Sequence, residues 1–298
     1  MKHHARFAFA LLILLSSIRW IGAEESSFDS GGVTIHYTIQ GQGDPVVLIH
    51  GFSASAASNW GSPGIIAGLA EDYQVIAFDN RGHGLSGKPH DVEQYGVEMV
   101  RDAIRLLDHL EIDRAHFVGY SMGGFITVKM LTLHPDRMIT AVLGGAGWMQ
   151  EGDAMGDLGE ELATSLEEGR GFGPRIEGLT PEGQPGPTEE EIQNINALLT
   201  FTNDTKALAA AIRAMGKLAV EEKELRANKV PVLALIGEID PLKEGVDAMK
   251  DVLSNFQVVV IDGADHMTAF TDPSFLGALR GFLAKHGLRE AAEAVSAQ

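Results

Sequence analysis

A serine flanked by glycines is the first feature of the chain that could do covalent chemistry. The hexapeptide "GYSMGG" (119–124) has the spacing G-x-S-x-G and lies between the apolar run "AHFV" and an apolar, helix-like stretch. This strand–turn–helix context is typical of a nucleophile elbow, in which a serine hydroxyl is exposed on a sharp turn. Serine also serves as an N-cap at helix starts, so that alternative stays open for Ser121.

A serine nucleophile needs a base that removes its proton and a carboxylate that orients the base. His266 and Asp240 each follow a predicted strand, so we expect both at the carboxyl ends of strands, where Ser121 also lies. Glu238 is a second candidate for the carboxylate, because it lies closer to the end of the same strand. The chain order serine, aspartate, histidine is that of one known arrangement of the catalytic triad.

Two backbone N–H groups are candidates for an oxyanion hole. The N–H of Met122 lies at the start of the helix after Ser121, and the N–H of Phe52 lies in the loop "HGF" after a buried strand. Trp148 and Met149 follow a later strand and are candidates for substrate-binding pocket walls. Packing between that segment and the rest of the protein would explain these two residues equally well.

Alternation of short apolar runs with amphipathic stretches predicts the elements that position these residues. The class is α/β, with a mostly parallel central sheet flanked by helices. Strands are predicted at 33–39 (an exposed edge strand), at 115–119, and as buried strands at 45–50, 74–79, 138–145, 230–237 and 256–261. Helices are predicted at 97–110, at 122–133 and from Pro273 to about His286.

The predicted strands define a domain organisation. Residues 24–146 and 228–288 are predicted to form the core, and 147–227 an inserted helical cap or lid, because so long a segment without strand periodicity exceeds an ordinary loop. An acidic, solubilising insert without a substrate role is the alternative for this segment. Residues 289–298 are predicted to be a loose polar tail.

The N-terminus and the composition limit location and partners. Residues 1–23 have a basic start, a short apolar run and small residues near Ala23, which predicts a signal peptide and a secreted or periplasmic protein. An uncleaved anchor is the alternative, and no stable membrane span is expected after signal removal. The net charge of −18 disfavours nucleic acid and anionic membranes, and the absence of cysteine excludes a thiol nucleophile.

Six motifs together resemble the α/β-hydrolase superfamily, over roughly residues 28–287: "LIHGF", "VIAFDNRGHGLSGKP", "FVGYSMGG", "HPDRM", "LIGEIDP" and "GADHMTAF". The resemblance implies a Ser–His–Asp triad beneath a helical cap, with no metal and no organic cofactor. We expect a carboxylesterase-like serine hydrolase that acts on a small-molecule ester. The oligomeric state does not follow from the sequence.

Departures from family patterns narrow the choice within the superfamily. A serine at the elbow differs from the aspartate of haloalkane dehalogenases and epoxide hydrolases. Met267 stands where carbon–carbon bond hydrolases usually have tryptophan, and Phe52 where perhydrolases usually have it. Carbon–carbon bond hydrolysis, lactone hydrolysis, perhydrolysis and low-turnover ligand binding remain the alternatives.

Overall fold

A computed structural model of the chain describes residues 24–150 and 155–287, with the side chains of 155–157 left out. Eight strands form one sheet: β1 (Glu24–Asp29), β2 (Thr34–Gln40), β3 (Asp44–Ile49), β4 (Tyr73–Phe78), β5 (Ala115–Tyr120), β6 (Met138–Gly144), β7 (Val232–Gly237) and β8 (Phe256–Ile261). The predicted signal peptide and the predicted tail lie outside the described residues.

The strand order in the sheet is β1-β2-β4-β3-β5-β6-β7-β8. Strands β1 and β2 pair antiparallel, as do β2 and β4, and every pair from β4 to β8 is parallel. The strands that precede the candidate site residues, β3, β5, β7 and β8, therefore point the same way. Their carboxyl ends lie at one edge of the sheet, where ligand sites of such sheets form.

The central strands are buried on both faces, as continuous apolar runs require. Val46 and Leu48 of β3 pack into one apolar cluster, while Val47 and Ile49 pack into the cluster on the opposite face. The predicted class, a mostly parallel sheet flanked by helices, is confirmed.

Two predictions about the edges of the sheet are wrong. Strand β2 is internal, because the unpredicted strand β1 pairs with it over six residues. Strand β8 is the opposite edge and is only partly buried, with Val260 at 40% exposure. A run of valines matches a buried strand, but an edge strand has one neighbour and less cover than the central strands.

Ten α-helices are described: α1 (Ile65–Leu69), α2 (Val97–His109), α3 (Met122–Leu133), α4 (Met155–Glu167), α5 (Gly173–Gly178), α6 (Glu189–Thr202), α7 (Thr205–Arg213), α8 (Glu222–Arg226), α9 (Lys243–Met249) and α10 (Pro273–Leu283). Helices α4–α8 occupy the predicted cap segment 147–227. Of the helices in the described ranges, none has the length and apolar character needed to cross a membrane.

Hydrogen bonds join the segment 147–227 to the rest of the protein. Lys129 Nζ donates to the carbonyl of Ala219 at 2.8 Å, and Asn203 Nδ2 donates to the carbonyl of Ser53 at 3.4 Å. The second contact places the end of α6 against the loop after β3. That loop carries Phe52.

Candidate active site

Ser121 lies on a strained turn between β5 and α3. Its φ is 52° and its ψ is −117°, a conformation that non-glycine residues rarely adopt and that clusters at functional sites. A Cβ added to Gly119 would come within 2.0 Å of the carbonyl oxygen of Gly123, and a Cβ on Gly123 within 2.0 Å of that of Ile49. The turn therefore requires glycine on both sides of the serine. Ser121 occupies the N-cap position of α3, but its side chain makes no capping hydrogen bond to the helix.

The structure brings Ser121, His266 and Asp240 into one hydrogen-bonded chain. His266 Nε2 lies 3.0 Å from Ser121 Oγ, and His266 Nδ1 lies 2.9 Å from Asp240 Oδ2 and 3.2 Å from Oδ1. His266 and Asp240 are both buried. Because a carboxylate can only accept, Nδ1 carries the proton and Nε2 is free to accept from the serine hydroxyl.

The loop after β7 decides which carboxylate meets His266. The N–H of Asp240 donates to the carbonyl of Gly237 in a tight turn, and Asp240 Oδ1 also accepts from the N–H of Leu242 at 2.9 Å. Glu238 is exposed, and its side chain accepts from the N–H of Gly263 at 2.8 Å. The turn thus directs Asp240 toward the histidine and Glu238 toward the next loop.

The two candidate oxyanion donors lie beside the serine. Met122 N–H is the first of helix α3, where the helix dipole adds positive potential. The loop of Phe52 approaches closely, since a Cβ on Gly51 would lie 3.3 Å from Ser121 Cβ. Within the described part of the chain, neither of the two N–H groups donates to an acceptor.

Sequence reasoning missed Tyr120, although it lies next to the serine. Its hydroxyl donates to the carbonyl of His266 at 2.6 Å, which holds the backbone of the histidine loop. Burial raises the pKa of Tyr120 well above its usual range, so the hydroxyl stays protonated as a donor. An aromatic residue at the end of a buried strand looks like core, and no sequence pattern separates the two roles.

Sequence reasoning also missed the side chains that hold the loop 50–52. Asn59 Oδ1 accepts from the N–H of Gly51 at 2.8 Å, and Asn80 Nδ2 donates to the carbonyl of His50 at 3.1 Å. Both asparagines are buried. Their partners lie 8 and 30 residues away in the chain, so no local pattern indicates the contacts.

Trp148 and Met149, the candidate pocket walls, are both buried. The Trp148 indole N–H donates to the carbonyl of Val220 at 2.7 Å, and the carbonyl of Met149 accepts from the N–H of Val220 at 3.1 Å. Both contacts join the beginning of the segment 147–227 to its end. The backbone N–H of Trp148 also donates to the carbonyl of Gly245 at 3.0 Å, outside the segment. That contact fits the packing alternative, and a role as pocket walls stays a prediction.

Comparison with known proteins agrees with this fold. The family model of the alpha/beta hydrolase fold matches residues 44–175. The chain is 31% identical over 232 residues to a 3-oxoadipate enol-lactonase of Acinetobacter baylyi, covering 72% of this chain and 79% of that protein. It is 29% identical to a 2-hydroxy-6-oxo-6-(2'-aminophenyl)hexa-2,4-dienoic acid hydrolase of Metapseudomonas resinovorans, covering 88% of this chain and 91% of that protein.

A solved structure gives the same result. The thermophilic esterase of Thermogutta terrifontis superposes with a TM-score of 0.72 at 25% identity, covering 89% of this chain and 99% of that one. The chain belongs to the α/β-hydrolase family, and the resemblance predicted from its motifs is confirmed. The relatives compared above carry the names of a lactonase, a dienoic acid hydrolase and an esterase, and this protein is a hydrolase of the same fold.

Proposed function

We propose that the protein is a serine hydrolase that cleaves carboxylic esters of small molecules through an acyl-enzyme on Ser121. The observation that carries the proposal is the hydrogen-bonded chain from Ser121 through His266 to Asp240, which starts at a strained serine. The strain holds the hydroxyl out of the helix, and the chain supplies the base that serine needs.

In the first step, His266 Nε2 takes the proton of Ser121 Oγ while Oγ attacks the ester carbonyl carbon. The histidine becomes an imidazolium, and Asp240 stabilises it through the bond to Nδ1. The carbonyl oxygen becomes an oxyanion, which accepts from the N–H groups of Met122 and Phe52. Both groups are preorganised, so little reorganisation is needed as the charge develops.

The remaining steps use the same residues, with His266 first giving up the proton and then taking another from water. The imidazolium gives its proton to the leaving alkoxide, the C–O bond breaks, and the acyl group stays on Ser121. Water then gives a proton to His266 Nε2 and attacks the acyl carbon. Release of the acid returns the proton to Ser121 Oγ, so no metal or organic cofactor is required.

The names of the relatives support an acyl-transfer reaction and do not decide whether an ester bond or a carbon–carbon bond is cleaved. Two of the three compared proteins carry the names lactonase and esterase, both ester-cleaving activities, while the third is named for a dienoic acid. Lactone hydrolysis uses the same steps as ester hydrolysis, with the alcohol tethered to the acyl group. Carbon–carbon bond hydrolysis is the alternative that the third relative supports.

Burst kinetics test the proposal. The wild-type protein is mixed with a series of p-nitrophenyl esters of increasing acyl length, beside lactones and carbon–carbon bond substrates. We expect a burst of p-nitrophenol, a mass increase of one acyl group on Ser121, and none of either in Ser121→Ala. A protein that turns over only carbon–carbon bond substrates, or shows no Ser121-dependent turnover at all, would contradict the ester proposal.

A further inference from the structure

A buried histidine outside the proposed triad makes two hydrogen bonds that determine its protonation. His50 Nδ1 lies 2.7 Å from the carbonyl oxygen of Gly51, and the N–H of Asn80 donates to His50 Nε2 at 2.9 Å. A carbonyl only accepts and an amide N–H only donates, so Nδ1 carries the proton and Nε2 carries none. His50 is therefore neutral, in a single tautomer.

The first of these bonds acts on the peptide that supplies an oxyanion donor. The peptide bond between Gly51 and Phe52 is planar and trans, so its C=O and its N–H point in opposite directions. Fixing the carbonyl against the His50 ring fixes the Phe52 N–H on the opposite side. That N–H is one of the two groups proposed to bind the oxyanion.

The neighbouring peptide, between His50 and Gly51, is held on both sides. Asn80 Nδ2 donates to its carbonyl, and Asn59 Oδ1 accepts from its N–H. The peptide between Gly51 and Phe52 differs, because in the described structure only its carbonyl side has partners. These are the His50 ring at 2.7 Å and, at the longer distance of 3.3 Å, the backbone N–H of Ala54 in the same loop. The next residue, Ser53, has a φ of 56°, so the loop adopts a turn that its sequence alone does not favour.

We propose that His50 is a positioning residue, which aims the Phe52 N–H at the oxyanion through its Nδ1–H bond to the carbonyl of Gly51. The inference rests on the proposed function, since an oxyanion forms only in acyl transfer. Two observations support the neutral tautomer on which the proposal depends. His50 is fully buried, and burial lowers the pKa of His50 below its ordinary value, against the opposing influence of Asp79.

Asparagine and glutamine at position 50 separate this role from a merely structural one. The amide nitrogen of asparagine can occupy the place of Nδ1 and donate to the carbonyl of Gly51. The amide oxygen of glutamine can occupy the place of Nε2 and accept from the N–H of Asn80. Each variant therefore keeps one of the two hydrogen bonds and loses the other.

The test compares kcat and KM of His50→Asn and His50→Gln on the best p-nitrophenyl ester. We expect His50→Gln to lose on the order of 10²-fold in kcat with little change in KM, as loss of an oxyanion donor does, and His50→Asn to lose about tenfold or less. Thermal unfolding of both variants checks that each folds. Similar melting temperatures with unequal kcat support positioning, whereas equal kcat losses or the reverse order would overturn it.

Nitrogen-15 spectra of the wild-type imidazoles make the test independent of activity. A proton on Nδ1 and a bare Nε2 at His50 are expected, with the assignment made by loss of the signals in His50→Asn. Signals of the other tautomer, or of an imidazolium at neutral pH, would overturn the inference. A wild-type protein without Ser121-dependent turnover would instead overturn the proposed function, while the tautomer measurement would still stand.

Discussion

The loops after β3 and β8 each carry a histidine in the same tautomer, and the two differ in what faces Nε2. At His266, Nε2 faces the hydroxyl of Ser121, which can give up its proton. At His50, Nε2 faces the backbone N–H of Asn80, which keeps its proton at any ordinary pH. The first histidine can therefore move a proton, and the second can only hold a position.

His266 and His50 also differ in the group that accepts from Nδ1. Asp240 carries a negative charge that stabilises an imidazolium, whereas the carbonyl of Gly51 is neutral. His50 also lies with its ring centroid 5.2 Å from that of His83, a buried histidine. A charge on His50 would lose the bond from Asn80 and would have no hydrogen-bonded carboxylate, although the Asp79 carboxylate is near enough to favour it. Tautomer alone does not make a histidine a base; an acidic donor and a charged partner do.

Removing Ser121 or His266, the two residues between which the proton moves, should have the largest effect on kcat. Ser121→Ala and His266→Ala are each expected to lower kcat on a p-nitrophenyl ester on the order of 10⁴-fold, because the nucleophile and base act as a unit. Initial rates at saturating substrate measure this. The control is His90→Gln, an exposed histidine paired with Asp204, which should stay within about twofold of wild type. A His266→Ala variant that keeps its rate would break the contrast between the two histidines.

Replacing the charged partner should have a smaller effect. Asp240→Asn is expected to lower kcat on the order of 10³-fold, since the neutral amide no longer stabilises the imidazolium. Glu238→Gln is the matched control, because the Glu238 carboxylate is exposed and accepts from the N–H of Gly263 rather than from His266. Rates of both variants under the same conditions settle the assignment. Equal losses, or a greater loss in Glu238→Gln, would show that the carboxylate is misassigned.

His83, a buried histidine with no part in the proposed reaction, should affect how the free energy of unfolding depends on pH. Burial, and next the neighbouring His50, lower the pKa of His83 from 6.5 to about 3. A histidine whose pKa is lowered by folding makes its full contribution to the stability of the folded state at pH values above its pKa in the unfolded state. That contribution is lost as the pH falls below the unfolded pKa. Between pH 7 and pH 5 the loss is about 2 kcal/mol of the free energy of unfolding.

Urea unfolding at pH 7 and pH 5 measures this contribution. The free energy of unfolding of His83→Gln should fall less between the two pH values than that of wild type, by about 2 kcal/mol. The difference between proteins cancels groups that titrate in both, including His36, whose pKa is raised first by its hydrogen bond to Asp79. Identical pH dependence in the two proteins would mean that the pKa of His83 is the same in the folded and unfolded states, which would contradict the prediction.

Trp148 offers a third ring N–H that, like that of His50, donates to a backbone carbonyl. Trp148→Phe removes the bond to Val220, so the free energy of unfolding is expected to fall by about 1–2 kcal/mol while kcat on short esters is unchanged. Urea unfolding and the acyl-length profile measure the two quantities. A shift of the preferred acyl length would instead identify Trp148 as a pocket wall.

Local patterns predicted most of the sheet and failed at its edges. Strands β3 to β7 are continuous apolar runs, and the glycines around Ser121 mark its turn. Strand β1, with the sequence "EESSFD", has only one buried residue and no apolar alternation. It is a strand because β2 pairs with it, and β8 is partly exposed because it has one neighbour. Both facts depend on pairing partners rather than on local composition.

The sequence by itself determined the α/β class, the family and the candidate residues Ser121, Asp240 and His266, because elbow glycines and strand-end positions are local features. Only the tertiary structure decided that Asp240 rather than Glu238 meets His266, and that His50 Nε2 accepts from the N–H of Asn80. A hydrogen bond needs two atoms within about 3 Å at a favourable angle. Residues that are tens of positions apart reach that distance only when the sheet has placed their loops side by side.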